Sequence, residues 1–136
     1  MGRRLILDTG IIIAIDRGDL DPNSVLYRDD DVVVAAVSLA ELQFGVLMAS
    51  PAQRANREAA FAEAEALYPA ENYTAETSQS HATLLVHCRK SGSPRSEIDL
   101  MIAATALATN RILVTLDRKA DFGSLPGVNV IELPVA

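Results

Sequence analysis

Cysteine, histidine and positive charge are all scarce in this 136-residue chain, and each scarcity closes off a class of function. Cys88 is the only cysteine, which excludes an internal disulfide and any zinc site built on cysteines; within its helical pattern it reads as a buried, inert thiol. The two histidines, His81 and His87, are six residues apart on one expected helix and do not face one another, so they form no paired metal site. Long apolar runs are missing too: residues 11–15 and 32–37 fall far below the ~18 consecutive residues of a membrane span. Arg3 and Arg4 precede an apolar stretch that Asp8 and Asp16 interrupt, with no small-residue cleavage site, so no signal peptide is expected and the protein should remain in the cytoplasm. No Gly-x-Gly-x-x-Gly turn is present, which removes the usual dinucleotide site.

Lysine and arginine total 12 against 18 aspartates and glutamates, a formal net charge of −6. That balance argues against a protein that grips nucleic acid through diffuse positive charge. It leaves a phosphate substrate open if several acids converge on one pocket and hold divalent cations, because a bound metal reverses the local field. The basic residues fall in small groups, Arg54 with Arg57, Arg89 with Lys90 and Arg95, and Arg118 with Lys119, each of which reads as a solvated helix face. The length predicts one domain over residues 1–136, large enough to bury a real core.

Periodicity then orders the chain. The run Leu5-Ile6-Leu7, broken by Asp8, Thr9 and Gly10, predicts a buried strand that delivers Asp8 to the edge of a sheet, where Asp8 also suits the cap of a helix over residues 10–16. Asp21 and Pro22 open a short helix, and the three acids of residues 29–31 read as a solvated turn before a second strand over residues 32–36. Ser38-Leu39-Ala40-Glu41 has the spacing of a capping box and is expected to start a helix ending near Ala49. Ser50-Pro51 starts another, reaching Leu67, and a weak strand near residues 68–71 leads to a helix from Thr74 to about Lys90 with Leu84, Leu85 and Cys88 inward. Ser96-Glu97-Ile98-Asp99 repeats the capping spacing ahead of a helix that is apolar nearly all round. Strands follow at residues 112–115 and 128–133, with Asp117 just past the first of them and Asp121 placed to cap a short turn. Strands alternating with helices predict an α/β fold, a mostly parallel central sheet with helices on both faces.

Four acids stand out: Asp8 and Asp117 beyond strand ends, Glu41 and Asp99 in the first turns of buried helices. Each has a structural reading as a cap or a helix-dipole partner. As a set they fit a different one, because a buried carboxylate is costly unless paired and hard oxygen ligands suit Mg²⁺ or Mn²⁺.

In this order the motifs resemble the PIN-domain ribonucleases, and among them the VapC toxins of toxin-antitoxin pairs, over essentially the whole chain. The residues that carry the likeness are Leu7-Asp8-Thr9, Ser38 to Leu42 with Gly45, Asp99 with Ala103 to Leu107, and Leu113-Val114-Thr115 running into Asp117, Asp121 and Phe122. The resemblance implies a PIN-like three-layer fold and a metal-dependent endoribonuclease, dimeric and neutralised by a VapB-type antitoxin. It also implies that Asp8 and Asp99 bind Mg²⁺ or Mn²⁺ directly, that Glu41 and Asp117 assist through water or hold a second ion, and that Thr9, Ser38 and Thr115 orient them. The fourth acid is left between Asp117 and Asp121, with Asp117 preferred. Two positions depart from the pattern: Gly10 stands where many relatives carry Asn or Ser, and the interval from Thr115 to Asp121 is a residue longer. The rival classes fit worse, since an aspartyl phosphotransferase needs a second acid at position 10, a receiver domain needs an acid pair and a strand-end lysine, and an inactive PIN-like assembly module has no need of all four acids.

Overall fold

The computed structural model describes residues 2–134. Its sheet is built from β1 (Arg4–Leu7), β2 (Asp31–Ala35), β3 (Ala70–Glu71), β4 (Ile112–Thr115) and β5 (Val130–Glu132), all parallel, in the order β3-β2-β1-β4-β5. The helices are α1 (Thr9–Asp16), α2 (Pro22–Val25), α3 (Ala36–Leu47), α4 (Pro51–Leu67), α5 (Ala75–Ser91) and α6 (Glu97–Thr109). No helix among the described residues is long and apolar enough to cross a membrane. The register sets Ile6 beside Val33 on one neighbour and Leu113 on the other.

Because successive strand side chains point to opposite faces, each buried strand feeds two cores. Ile6, Val33 and Leu113 pack with Leu84 and Cys88 of α5, Leu100 and Ile102 of α6, and Phe122. Leu5, Leu7, Val34 and Val114 pack with Ile11 and Ile12 of α1, Leu39 and Leu42 of α3, and Ala64 of α4. This explains the uninterrupted apolar strands: a parallel sheet covered on both sides has no solvent face for a polar residue to occupy. The expected α/β architecture with helices on both faces is what the structure has. Thr74 and Ser96 cap α5 and α6 through their hydroxyls, and Gly92 and Asn110 end them in left-handed conformation, with φ of 64° and 55°.

Several boundaries differ from the sequence reading. Helix α3 begins at Ala36, directly off β2, with Ala35 in the cap position and no side-chain cap, so the capping box expected at Ser38 is absent. Ser38 instead sits in the first turn, fully buried, and Glu41 lies one turn further along. Ser50 stands at the cap of α4 without a side-chain bond to it, α3 stops at Leu47, and the last strand is confined to Val130–Glu132. Leu85, expected inward, is 42% exposed.

The turn over residues 29–31 is not simply solvated. Arg3 grips Asp30 with two bonds, Nε to Oδ1 at 3.0 Å and Nη2 to Oδ2 at 2.6 Å, while its guanidinium lies 4.0 Å above the Tyr27 ring. The Arg3 hydrogen bond holds the Asp30 carboxyl below its ordinary value. Arg3→Ala is therefore expected to cost about 1–2 kcal/mol at neutral pH, as charge-assisted bonds commonly do. A depressed folded-state value means the contribution is present above the unfolded carboxyl range and lost as pH falls through the folded one. Urea titrations of variant and parent should thus diverge at pH 7 and converge in strong acid. Arg111, with only 6% exposure, ties the same end of the sheet together, donating to the carbonyls of Leu5 and Asp31.

Candidate active site

The strand order reverses at β1, whose two neighbours, β2 and β4, are reached by connections on opposite sides of the sheet. At such a switch point the segments leaving adjacent strands part, and a crevice opens beyond their carboxyl ends. Asp8 follows β1, and its N–H continues the ladder to the Val114 carbonyl at 2.9 Å, so Asp8 and the end of β4 are side by side. The cleft there, about 410 Å³, is lined by Asp8, Thr9, Gly10, Ile13, Glu41, Asp99, Leu116 and Asp117. Four carboxylates share it and no basic side chain lines it.

Asp8 is 7% exposed. Its Oδ1 accepts the Thr9 N–H at 2.9 Å, the cap of α1, and its Oδ2 accepts the Thr115 hydroxyl at 2.8 Å. Cap and site acid are therefore the same group. Burial pushes the Asp8 carboxyl up to about 6; the Thr115 and Thr9 bonds oppose that rise, while Asp99 and Asp117 add to it. Asp99, in the first turn of α6, is also raised, chiefly by burial and then by Asp117, with the Ser96 hydroxyl and Arg95 opposing.

The hydroxyls connect the acids. Thr9 Oγ1 lies 2.6 Å from Glu41 Oε1 and 2.9 Å from Ser38 Oγ. The Thr9 hydroxyl is placed to donate to either oxygen, and its single proton favours the shorter bond to the carboxylate, which accepts only. Ser38, Thr9 and Glu41 thus form one cluster across two elements. Thr115, fully buried, donates to Asp8 and accepts the Asp117 N–H at 2.9 Å. Asp117 Oδ1 accepts the N–H groups of Lys119 and Ala120 at 2.9 and 3.1 Å, closing a tight turn at the mouth of the cleft.

Asp8, Glu41, Asp99 and Asp117 are brought together, and Asp121 is not. Asp121 points away, with its side chain 66% exposed, its backbone left-handed at φ 47° and its nearest charged contact Arg95 at 3.9 Å. It precedes the 3-10 turn Phe122–Ser124 without the side-chain cap expected of it. In this geometry no three Asp, Glu, His or Cys groups among the described residues are gathered closely enough to enclose a metal ion. The donor set nonetheless suits one: all-oxygen and acidic, with no basic side chain lining the cleft. His81 is occupied elsewhere, bonded through Nδ1 to the Tyr73 hydroxyl at 2.8 Å.

One residue escaped the sequence reading. Arg95, grouped there with Arg89 and Lys90 on a solvated face, has a side chain only 6% exposed and reaches the carbonyls of Ala120 and Asp121. Its position behind a Gly-Ser-Pro breaker offered no periodic signal of burial.

The domain is a doubly covered parallel α/β fold with four carboxylates in the cleft at the switch point of its sheet. The chain belongs to the PIN-domain family, whose sequence model matches residues 5–125. It is similar to Ribonuclease VapC4 of Mycobacterium tuberculosis (strain ATCC 25618 / H37Rv), with 31% identity covering 96% of this chain and 98% of that relative. Among solved structures it resembles VapBC-5 of Mycobacterium tuberculosis, a member of the VapBC family of toxin-antitoxin systems, at TM-score 0.76 and 32% identity, with 96% of this chain and 98% of that one covered. The fold is also that of VapBC2 from Rickettsia felis, solved bound to a promoter DNA fragment, at TM-score 0.86, 21% identity and coverage of 96% and 98%.

Proposed function

We propose that this chain is the toxin of a toxin-antitoxin pair, an endoribonuclease dependent on Mg²⁺ or Mn²⁺ and acting as one domain in the cytoplasm. The observation that carries the reading is the convergence of Asp8, Glu41, Asp99 and Asp117 on one cleft without a balancing cation. The naming of its relatives as VapC ribonucleases and VapBC complexes supports the substrate class and the antitoxin partner. In this reading Asp8 and Asp99 would hold the cation directly, and Glu41 and Asp117 would assist through water or hold a second ion; the chemistry such a cation would supply is a water of lowered pKa and neutralisation of phosphate charge. Asp8 serves in its ionised form, which the Thr9 N–H and Thr115 hydroxyl favour against the pull of burial. Thr9 donates to the Glu41 carboxylate and holds it at the cleft.

Glu41 and Asp117 should therefore matter in degree. Asp117→Asn is expected to lower cleavage by about tenfold or more, as loss of a supporting ligand contact commonly does. Asp121→Asn should be nearly silent, because that side chain is exposed, lies outside the cleft, and Asn tolerates the left-handed backbone as well as Asp. Initial rates on RNA at several Mg²⁺ concentrations check both, and an inactive Asp121 variant beside an active Asp117 variant would reverse the assignment.

For assembly we propose a homodimer bound by the antitoxin. Phe44, Leu47 and Met48 at the end of α3 are 65%, 58% and 70% exposed, apolar side chains that a partner surface would cover. Light scattering should find a dimer, and co-expression with the antitoxin a stable complex without ribonuclease activity; a monomer at high concentration that forms no complex would refute this.

A further inference from the structure

We propose that Arg95 is a positioning residue for the acid cleft: its guanidinium fork fastens the turn that begins at Asp117 to the helix that carries Asp99, and so sets how tightly the four carboxylates hold a divalent cation. The inference rests on the reading of the cleft as a metal site. Between the end of β4 and the 3-10 turn Phe122–Ser124, residues 116–121 form no helix or strand, so the Asp117 carboxylate has no regular element behind it. Beside the Lys119 N–H that its Oδ1 also accepts and the Thr115 hydroxyl that accepts the Asp117 N–H, it is steadied by a relay through Ala120. The N–H of Ala120 donates to Asp117 Oδ1 at 3.1 Å, and the carbonyl of Ala120 accepts from Arg95 Nε at 2.6 Å. Arg95 Nη2 adds the carbonyl of Asp121 at 2.9 Å and the Ser124 hydroxyl at 2.7 Å. Its Nη1 turns back to the Ser93 carbonyl, in the segment ahead of α6, and to Cys88 Sγ of α5, each at 3.3 Å.

Arg95 stands four residues ahead of Asp99, so the fork joins the bases of two acids that approach the cleft from different elements. A planar fork with several fixed donors can hold three acceptors of one turn at once; a lysine ammonium on a flexible stem cannot reproduce that geometry. The left-handed backbone of Asp121 belongs to the same arrangement, since a turn of that shape is kept only where its surroundings hold it. Arg95 itself does not line the cleft.

The test is Mn²⁺ binding, followed by electron paramagnetic resonance, for the parent chain, Arg95→Lys, Arg95→Met and, as reference, Asp8→Asn. Arg95→Lys is expected to fold and to bind Mn²⁺ about tenfold more weakly, the ordinary cost of losing an outer-shell support, with Arg95→Met weaker still. Cleavage by both should recover at saturating Mn²⁺ with KM for RNA unchanged, which a general loss of structure would not permit. Mn²⁺ affinity of Arg95→Lys within about twofold of the parent, or cleavage that added metal does not restore, overturns the inference. If Arg95→Met fails to fold, Arg95→Lys decides alone; if Arg95→Lys also fails to fold, Arg95 is a determinant of the fold and the positioning role falls. A parent chain that binds no Mn²⁺, or an Asp8→Asn chain that binds it equally well, refutes the metal site and this inference together.

Discussion

Asp8→Asn is expected to abolish RNA cleavage and, in the absence of metal, to make the protein more stable at neutral pH. The two effects have one cause. The folded chain holds the Asp8 carboxyl at about 6, above its ordinary value of 3.8, because burial disfavours the ionised form more than the Thr115 and Thr9 bonds favour it. A group that binds its proton more tightly folded than unfolded destabilises the fold once that proton is lost. The penalty is absent below the unfolded value, grows as pH rises from about 4 to 6, and is complete above the folded value. Its full size is on the order of 3 kcal/mol. Asparagine cannot accept both the Thr9 and Thr115 donors as a carboxylate does, so a net gain of about 1–2 kcal/mol is expected. Cleavage should fall by about a hundredfold or more, since the amide replaces a charged ligand. Thermal melts in chelator should put the variant above the parent at pH 7 and below it near pH 4, where the parent's penalty is absent and the variant's lost bond remains. A variant less stable than its parent at pH 7 without metal would refute the account.

Chelation is the second large effect. EDTA is expected to eliminate cleavage by the parent chain, and Mg²⁺ or Mn²⁺ to restore it, because none of the cleft's own side chains is a cation able to neutralise a phosphate. Metal that binds only the folded state should also raise the melting temperature, with about 2.7 kcal/mol of added stability at a hundred times Kd. Since Asp8 must be ionised to serve as a ligand, the apparent affinity should weaken by about tenfold per pH unit below 6. Asp8→Asn should lose the metal-induced rise in melting temperature. Full activity in EDTA, or equal protection of both chains by Mn²⁺, would remove the basis of the proposed chemistry.

Much of this site was legible before any geometry. Asp8, Asp99 and Asp117 follow short apolar runs or start a buried helix, and such punctuation is a local signal. The less legible parts concern direction. Ser38 and Glu41 have the spacing of a capping box, and by sequence the two readings of that spacing are identical. The structure differs because β2 runs into α3 without a break, which moves the start of the helix forward to Ala36 and turns both side chains toward Thr9. Asp30 was misjudged for a related reason: its partner Arg3 lies 27 residues away, outside any local window. The same holds for Arg95, whose acceptors are 25 to 29 residues distant.

The sequence by itself determined the alternation of strands and helices, the two-faced burial of the sheet and the candidacy of Asp8, Glu41 and Asp99, because periodicity, caps and the cost of burying charge are properties of neighbouring residues. Only the tertiary structure decided that β4 lies against β1, so that the acids meet at all, and that Asp117 rather than Asp121 enters the cleft. Four residues apart on one loop, those two aspartates are chemically alike. What separates them is the path of the backbone, turned by the left-handed Asp121 and held by the fork of Arg95, and a path of that kind follows from contacts between segments that lie far apart in the chain.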